Sequence, residues 1–487
     1  MAFSDELKQV VGTENYFDKP DILEAFASDM SFVPGKTPGC VVTPQNSSDV
    51  QNIVRLAGRS NIPLIAVSSG TPRFRGDTVP GVKDAVMVDL SAMKQVIRID
   101  RKNRVAMIES GVTFDDLIPA LEEEGLRLNM PLCPKKTKSV IGSMLEREPV
   151  MMPVFQWDAL DPLLCTEVYF GTGDRFRTGS AAGPGTLEEQ WKAGQAQLNP
   201  MGPGQADIVR VVQGSQGTMG IVTWASVRCE VLPQMQKSFL VGCNEINQVS
   251  DFIYRQLRLR NAEHCVLLNN ITAATVMGKD EKERDTLMKI LPPWIFFFSL
   301  AGYRDFPEER IAYQEELMLV AAGECGVKPG ELLAGVSAQA FLEVLSRPSD
   351  DPYWKIRNGG GCEEIFFLTT LDRTNGFVEM MADVVKQYGY DGNNPAVYIQ
   401  PMVQGTCCHC EFNLFYDPSS NEEREKIKRI SSAAAEQLQS AGAFFSRPYG
   451  AWSDMIYGEG GETVDALKKA KQIFDPNNIM NPGKLCF

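Results

Sequence analysis

Strand-type and helix-type patterns alternate with little slack through the first 125 residues, and this alternation limits the fold more than any other feature of the chain. Gly39-Cys40-Val41-Val42-Thr43-Pro44 reads as a short strand stopped by proline. Asn46-Ser47-Ser48-Asp49 supplies N-cap residues for a helix through Val50, Ile53, Val54, Leu56 and Ala57. Residues 63–67 predict a buried β-branched strand that runs into a loop at 68–76. Strands follow at 85–90, 96–99 and 105–108, then an amphipathic helix from Phe114 that ends at Gly125. Residues 163–170 and 175–178 predict a hairpin around Gly171-Thr172-Gly173-Asp174. A stretch rich in glycine and proline, 183–204, reads as a surface loop or short excursion.

After Pro233 the segments lengthen. Helices are predicted near 247–260, 307–323, 376–388 and 421–439, and strands near 264–269, 294–300, 364–369, 397–403 and 406–416. That order predicts a second α+β unit. The tail carries a helix over 464–474. With 487 residues, the chain has room for two to four domains.

Composition then removes several classes of function. Forty-eight basic against 62 acidic residues give a net charge of −14, which disfavours nucleic acid and anionic membrane surfaces as partners. The richest apolar run, Trp294–Leu300, is far shorter than the roughly 20 residues that cross a bilayer. The amino terminus shows neither a basic nor an apolar leader region, so a cytoplasmic location is expected. The 2 histidines make a His-rich metal site impossible. The 12 dispersed cysteines read as reduced, mostly buried thiols.

Three glycine-containing loops can meet an anion through converging backbone N–H groups: 68–76, Ser139-Val140-Ile141-Gly142-Ser143, and 214–220 followed by Ile221-Val222-Thr223. Each alone also reads as an ordinary surface loop. Together and in order, they resemble the FAD-linked oxidoreductase family of vanillyl-alcohol oxidase and 4-cresol dehydrogenase, with its PCMH-type FAD-binding domain. The resemblance continues through Thr43-Pro44, Asp89-Leu90-Ser91, Glu109-Ser110-Gly111-Val112-Thr113-Phe114, Leu145-Glu146-Arg147, Gly173-Asp174 and Arg177-Thr178-Gly179. It closes on Phe474-Asp475-Pro476 and Asn481-Pro482-Gly483-Lys484.

The resemblance implies an α+β fold. A two-lobed FAD-binding domain would span residues 1–233 and regain the segment 446–487. An α+β cap with a mainly antiparallel sheet would span 234–445. It implies FAD, cradled by Ser68, Ser69, Gly70, Thr71, Arg73, Phe74 and Gly76, with Ser139, Gly142, Ser143, Gly220, Ile221, Val222 and Lys484 along the cofactor. The absence of a Cβ on a glycine lets backbone approach phosphate closely. The implied activity is oxidation of an alcohol or a phenolic CH or CH–OH donor by hydride transfer to flavin N5. The implied partners are a small organic substrate and an electron-acceptor protein such as an iron–sulfur protein or cytochrome, and homo-oligomerisation is compatible with them. The alternatives are an electron-transfer flavoprotein subunit and a 2-hydroxy-acid dehydrogenase of the D-lactate and glycolate type. No metal is expected, because the two-histidine motif of that last branch is missing.

For the chemistry, the resemblance points to Asp158 near flavin N5, with Asp161 as the alternative. His409, in Cys407-Cys408-His409-Cys410-Glu411, falls where family members place a histidine bonded to the flavin; a pocket role without that bond is the favoured reading. Tyr449 matches the tyrosine of the phenol-oxidising members. They follow it with arginine where this chain has Gly450, and Arg447 could substitute from the other side. His264 reads as a satisfied strand histidine.

Overall fold

A computed structural model describes residues 3–154, 161–202, 207–390, 394–458 and 460–487. The fold is α+β. Among these residues the strands form three large sheets and one two-residue hairpin.

The first sheet is built from β1 (Tyr16–Phe17), β2 (Cys40–Val42), β3 (Leu64–Val67) and β4 (Val86–Asp89), in the order β1-β2-β4-β3. β2, β4 and β3 run parallel, as strand–helix–strand connections require. The intervening helix, Ser47–Ser60, starts where the sequence predicts, with the Asn46 side chain accepting from the Asp49 N–H. It buries Val50, Ile53, Val54, Leu56 and Ala57 against the sheet. The far edge is closed by the chain's tail. Leu64 N–H donates to Ile479 O at 2.7 Å, and Asn481 N–H donates to Leu64 O at 2.9 Å. Lys471 Nζ ties the tail further, to Thr218 O, Asp475 and Met480 O.

The second sheet contains β5 (Val96–Asp100), β6 (Val105–Glu109), β7 (Leu126–Leu128), β8 (Leu163–Phe170), β9 (Arg175–Arg177) and the long β10 (Gly220–Val231). Its order is β5-β6-β10-β8-β9, with β7 also on β10, and its pairs are antiparallel. The predicted hairpin is β8–β9. The excursion after it contains a short helix, Leu187–Lys192, closed by a Thr186–Glu189 capping box.

The third sheet takes β11 (Met235–Cys243), β12 (His264–Asn269) and β13 (Trp294–Gly302). A small hairpin, β14 (Leu332–Leu333) and β15 (Val336–Ser337), stands apart, and β16 (Gly361–Thr369), β17 (Ala396–Met402) and β18 (Cys407–Tyr416) complete the sheet. The order is β11-β13-β12-β17-β18-β16, all antiparallel. β13 lies inside this sheet and is apolar on both faces. Phe296, Phe298 and Leu300 enter one core, and Ile295 and Phe297 enter the other. That two-sided burial explains the apolar run seen in the sequence. No helix among the described residues is long and apolar enough to cross a membrane.

Two local readings change. Residues 139–143, expected as a loop, begin a helix, Val140–Leu145, whose Ser139 cap accepts from the Gly142 N–H at 2.9 Å. In the third sheet's region, β11 and the helices Asn270–Met277 and Glu281–Ile290 carry mixed patterns that the sequence reading did not assign.

Candidate functional site

A cleft runs between the first two sheets and ends against the third. Its walls include Ser68, Ser69, Arg73 and Phe74 from the loop after β3, Gly142, and Gly220, Ile221 and Val222 at the start of β10. Tyr353, Lys355, Glu364, Tyr398 and Tyr449 close the end nearest the third sheet. The sequence thus brings three distant glycine-containing segments to one place. Ser69 Oγ accepts from Ser139 N–H at 3.0 Å and joins two of them. A Cβ on Gly142 would lie 3.1 Å from Ser68 Oγ, so the glycine permits that close approach.

The other residues expected along the cofactor lie behind this wall. Gly70 N–H donates to Thr137 O, and Thr71 O accepts from Thr137 Oγ1. Gly76 N–H donates to Asp29 at 2.7 Å, and Gly76 O accepts from Lys484 Nζ at 2.7 Å. Ser139 Oγ donates to Ser110 O, and Ser143 Oγ donates to Glu148 at 2.5 Å. Lys484 therefore braces the loop from its far side.

Two cations on the cleft wall were not anticipated as a pair. Arg73 and Lys135 are buried, and neither has a carboxylate within ion-pair distance among the described residues. Lys135 Nζ donates to Gly70 O and Pro72 O. Burial, with Lys138 next, pushes its pKa down to about 7. Arg73 Nε is buried without an acceptor. Buried positive charge beside the Ser68–Ser69 backbone fits a diphosphate. The apolar stretch formed by Ala66, Val67, Leu90 and Ile221 fits a flat ring system. The residues present therefore suit FAD. Anion binding here would draw on side-chain charge as well as the backbone N–H groups expected from sequence.

Where the cleft meets the third sheet, a ladder of buried charges crosses the junction. Lys138 holds Glu146 at 2.8 Å and Glu148 at 3.3 Å. Arg75 pairs with Glu146, with Glu148 at 2.8 Å and with Glu364 at 3.2 Å. Lys355 bridges Glu364 and Glu411, each at 2.5 Å. Burial opposes the Arg75 charge, but Glu148, Glu364 and Glu146 outweigh it and hold its pKa above the ordinary value. Burial raises Glu146, whereas Lys138 and Arg75 pull Glu148 well down, so Glu146 is the more readily protonated of the two.

The last rung is on β18. Antiparallel register places Glu411 opposite Phe366 and Tyr398, and His409 opposite Leu368 and Gln400, so His409 and Glu411 share one face. Glu411 accepts from Tyr398 OH at 2.8 Å and from Lys355, and sits 3.0 Å from His409 Nε2. Lys355 overcomes burial and keeps Glu411 ionised, so Nε2 of His409 carries the proton it donates. Burial pushes the pKa of His409 down to about 4 despite that carboxylate. The neutral ring leaves its lone pair on Nδ1.

Arg447 lies beneath the same region. Its guanidinium carbon is 4.2 Å from the centre of the Phe366 ring, and its buried Nη1 has no hydrogen-bond partner. Tyr449 stacks edge-on to Phe366 and faces Arg75 at 5.7 Å. Burial raises the pKa of its phenol well above the ordinary value, so it stays neutral. His264 donates to or accepts from Ser299 Oγ at 3.0 Å through Nδ1, as a satisfied strand histidine would. Asp161 is held by Gln213, Arg210 and the Leu163 N–H, in a structural role. Asp158 lies outside the described residues. The residues that the sequence reading missed are Arg75, Lys355, Glu364, Tyr398 and Glu411. For Glu411, the period-2 spacing from His409 was the available signal.

Residues 38–174 match the FAD binding domain family, and residues 408–485 match the C-terminal domain of FAD linked oxidases. Glycolate oxidase subunit GlcD of Bacillus subtilis (strain 168) is 24% identical over 99% of this chain and 96% of its own. The 4-cresol dehydrogenase [hydroxylating] flavoprotein subunit of Pseudomonas putida is 22% identical over 98% of this chain and 94% of its own. Among solved structures, p-cresol methylhydroxylase with substrate bound superposes with a TM-score of 0.80 at 18% identity, covering 100% of this chain and 96% of that one. The 4-ethylphenol oxidase of Gulosibacter chungangensis gives 0.82 at 19% identity, covering 99% and 96%. With the glycine segments gathered on one cleft and buried cations on its wall, the chain is an FAD-dependent oxidoreductase that carries the FAD binding domain and the C-terminal domain of FAD linked oxidases, shares its fold with p-cresol methylhydroxylase, and takes FAD as its cofactor.

Proposed function

We propose that this FAD-dependent oxidoreductase acts on a small organic molecule with an alcohol or phenolic CH or CH–OH group, and that His409 takes up the donor's proton. The observation that carries this reading is the Glu411 carboxylate, which meets Lys355, Tyr398 OH and His409 Nε2 together. That arrangement orients His409 and leaves Nδ1 as the basic atom. FAD, when bound, supplies the hydride acceptor at N5. Tyr449 presents a neutral hydroxyl, and Arg447 supplies positive charge to an oxygen that gains negative charge as the donor is oxidised. His409 is buried and lines neither cavity, so a bond to the flavin would need its ring to reach through the end wall of the cleft. Acid precipitation tests it, since free FAD in the supernatant excludes the bond.

The division of labour we propose assigns residues 1–233 and 446–487 to cofactor binding and 234–445 to the cap. The deciding experiment is anaerobic flavin bleaching with phenols, benzylic alcohols and 2-hydroxy acids. Bleaching by a phenol or benzylic alcohol, slowed in His409→Asn, supports the reading; bleaching by hydroxy acids alone overturns it. The hydroxy-acid reading is favoured by the buried Arg447 Nη1, which has no hydrogen-bond partner and could meet a carboxylate, and by the similarity to glycolate oxidase subunit GlcD. Reoxidation of the reduced protein by O₂, a dye or a partner cytochrome or iron–sulfur protein separates an oxidase from an electron-transferring dehydrogenase.

A further inference from the structure

A second cavity, of about 750 Å³, adjoins the cofactor cleft. Phe74, Arg75, Gln216, Glu364 and Tyr449 belong to the walls of both, so the two spaces meet across the Arg75–Tyr449 contact. Beyond that contact Phe32, Phe366 and Trp452 line the space, together with the charged side chains Glu363, Lys428 and Glu436. Phe366 and Trp452 meet at 5.2 Å with perpendicular rings, and Phe32 lies on the opposite side. Phe32 belongs to a strap, residues 31–34, anchored by Tyr416, which stacks on Phe32 at 5.9 Å and donates its hydroxyl to Met30 O at 3.2 Å. The third wall is the helix Asn421–Ser440, which turns Ser431, Ser432 and Ala435 toward the cavity and so leaves it open.

We propose that this chamber holds the non-reacting arm of the electron donor, and that the donor carries an aromatic arm of at least one further ring beyond the reacting group. The proposal rests on the oxidoreductase reading above and adds the donor's size and shape to it. The volume lies in the range of pockets that enclose drug-sized ligands, about 300–1,000 Å³. Aromatic edges and faces suit an aromatic ligand. Arg75 and Glu364 at the shared wall are paired with each other, and Phe32, Phe366 and Trp452 give the chamber the apolar surface that an aromatic arm would meet.

The test measures binding of 4-methylphenol and 4-hydroxybiphenyl to the oxidised holoenzyme, by visible difference spectra of the flavin and by calorimetry. Two variants narrow the chamber: Ser432→Trp, on an exposed helix position, and Ala435→Phe, deeper in. Retained FAD content and far-UV spectrum establish folding. The expected result is at least tenfold weaker binding of 4-hydroxybiphenyl in Ser432→Trp, with 4-methylphenol changed less than twofold. Equal weakening of both ligands, no weakening of either, or failure of the two-ring phenol to bind the parent protein overturns the proposal. Size selectivity without any anaerobic bleaching would remove the oxidation reading and leave the chamber. Bleaching without size selectivity would do the reverse.

Discussion

The Glu411 carboxylate lies 3.0 Å from Nε2 of His409, and both side chains are buried on one face of the same strand. Glu411 thereby fixes which ring nitrogen keeps the proton. Replacing it by glutamine keeps the shape but makes the partner able to donate as well as accept, and the ring can adopt either tautomer. We expect Glu411→Gln to keep FAD bound and to slow anaerobic flavin reduction by at least tenfold, with a changed pH profile. Stopped-flow reduction across pH 5–9 checks this; an unchanged rate and profile would assign the pair to packing alone.

Arg75 meets Glu146, Glu148 and Glu364 at the junction between the cleft and the third sheet. Removing one partner of a buried ion pair typically costs about 3–5 kcal/mol, because the remaining charges stay buried. Arg75→Met should therefore lower the denaturant midpoint by a corresponding amount near pH 7.5. The loss should shrink as pH falls toward 5, because burial raises Glu146 and makes it the partner that takes up a proton once Arg75 is gone. Chemical denaturation at both pH values reads the difference.

Lys135 has a pKa pushed down to about 7 by burial and by Lys138. A bound diphosphate would hold its proton in place, so FAD binding above pH 7 takes a proton up and affinity falls as pH rises. We expect FAD to bind more weakly at pH 8.5 than at pH 6.5, and Lys135→Met to be weaker at both and nearly independent of pH. Calorimetry in two buffers of different ionisation enthalpy counts the proton directly.

Glu363 lies on the chamber wall and accepts a hydrogen bond from Ser431 Oγ at 2.6 Å. Burial raises its pKa from 4.5 to about 7. The unfolded chain gives up this proton first, so the group's contribution to stability is intact below about pH 4.5 and is lost as pH rises through 7. The variant Glu363→Gln should melt at a higher temperature than the parent at pH 8 and at the same temperature near pH 4.5. Thermal melts at those two values suffice, and equal melting at pH 8 would count against it.

Much of the cofactor side was legible in the sequence because its signals are local. Asn46 caps its helix through a contact three residues away, and the loop after β3 follows directly from a buried strand. The charge ladder was not legible. Arg75 and Glu364 are separated by 289 positions, and each taken alone reads as a solvated side chain. Their pairing depends on how the third sheet meets the cleft, which no local pattern encodes. Ser139 was read as part of a loop because a helix of six residues has too few turns to show a period.

The tail that closes β3 has a consequence for how the chain is made. Leu64 waits for Ile479 and Asn481, more than 400 positions later, before its edge is paired. During synthesis on the ribosome the first sheet must stand with that edge open until the end of the chain has emerged. The neighbouring loop likewise gains its Lys484 brace only after residue 484 has been made, and a chain interrupted before residue 479 would present an open strand edge to chaperones or to other nascent chains.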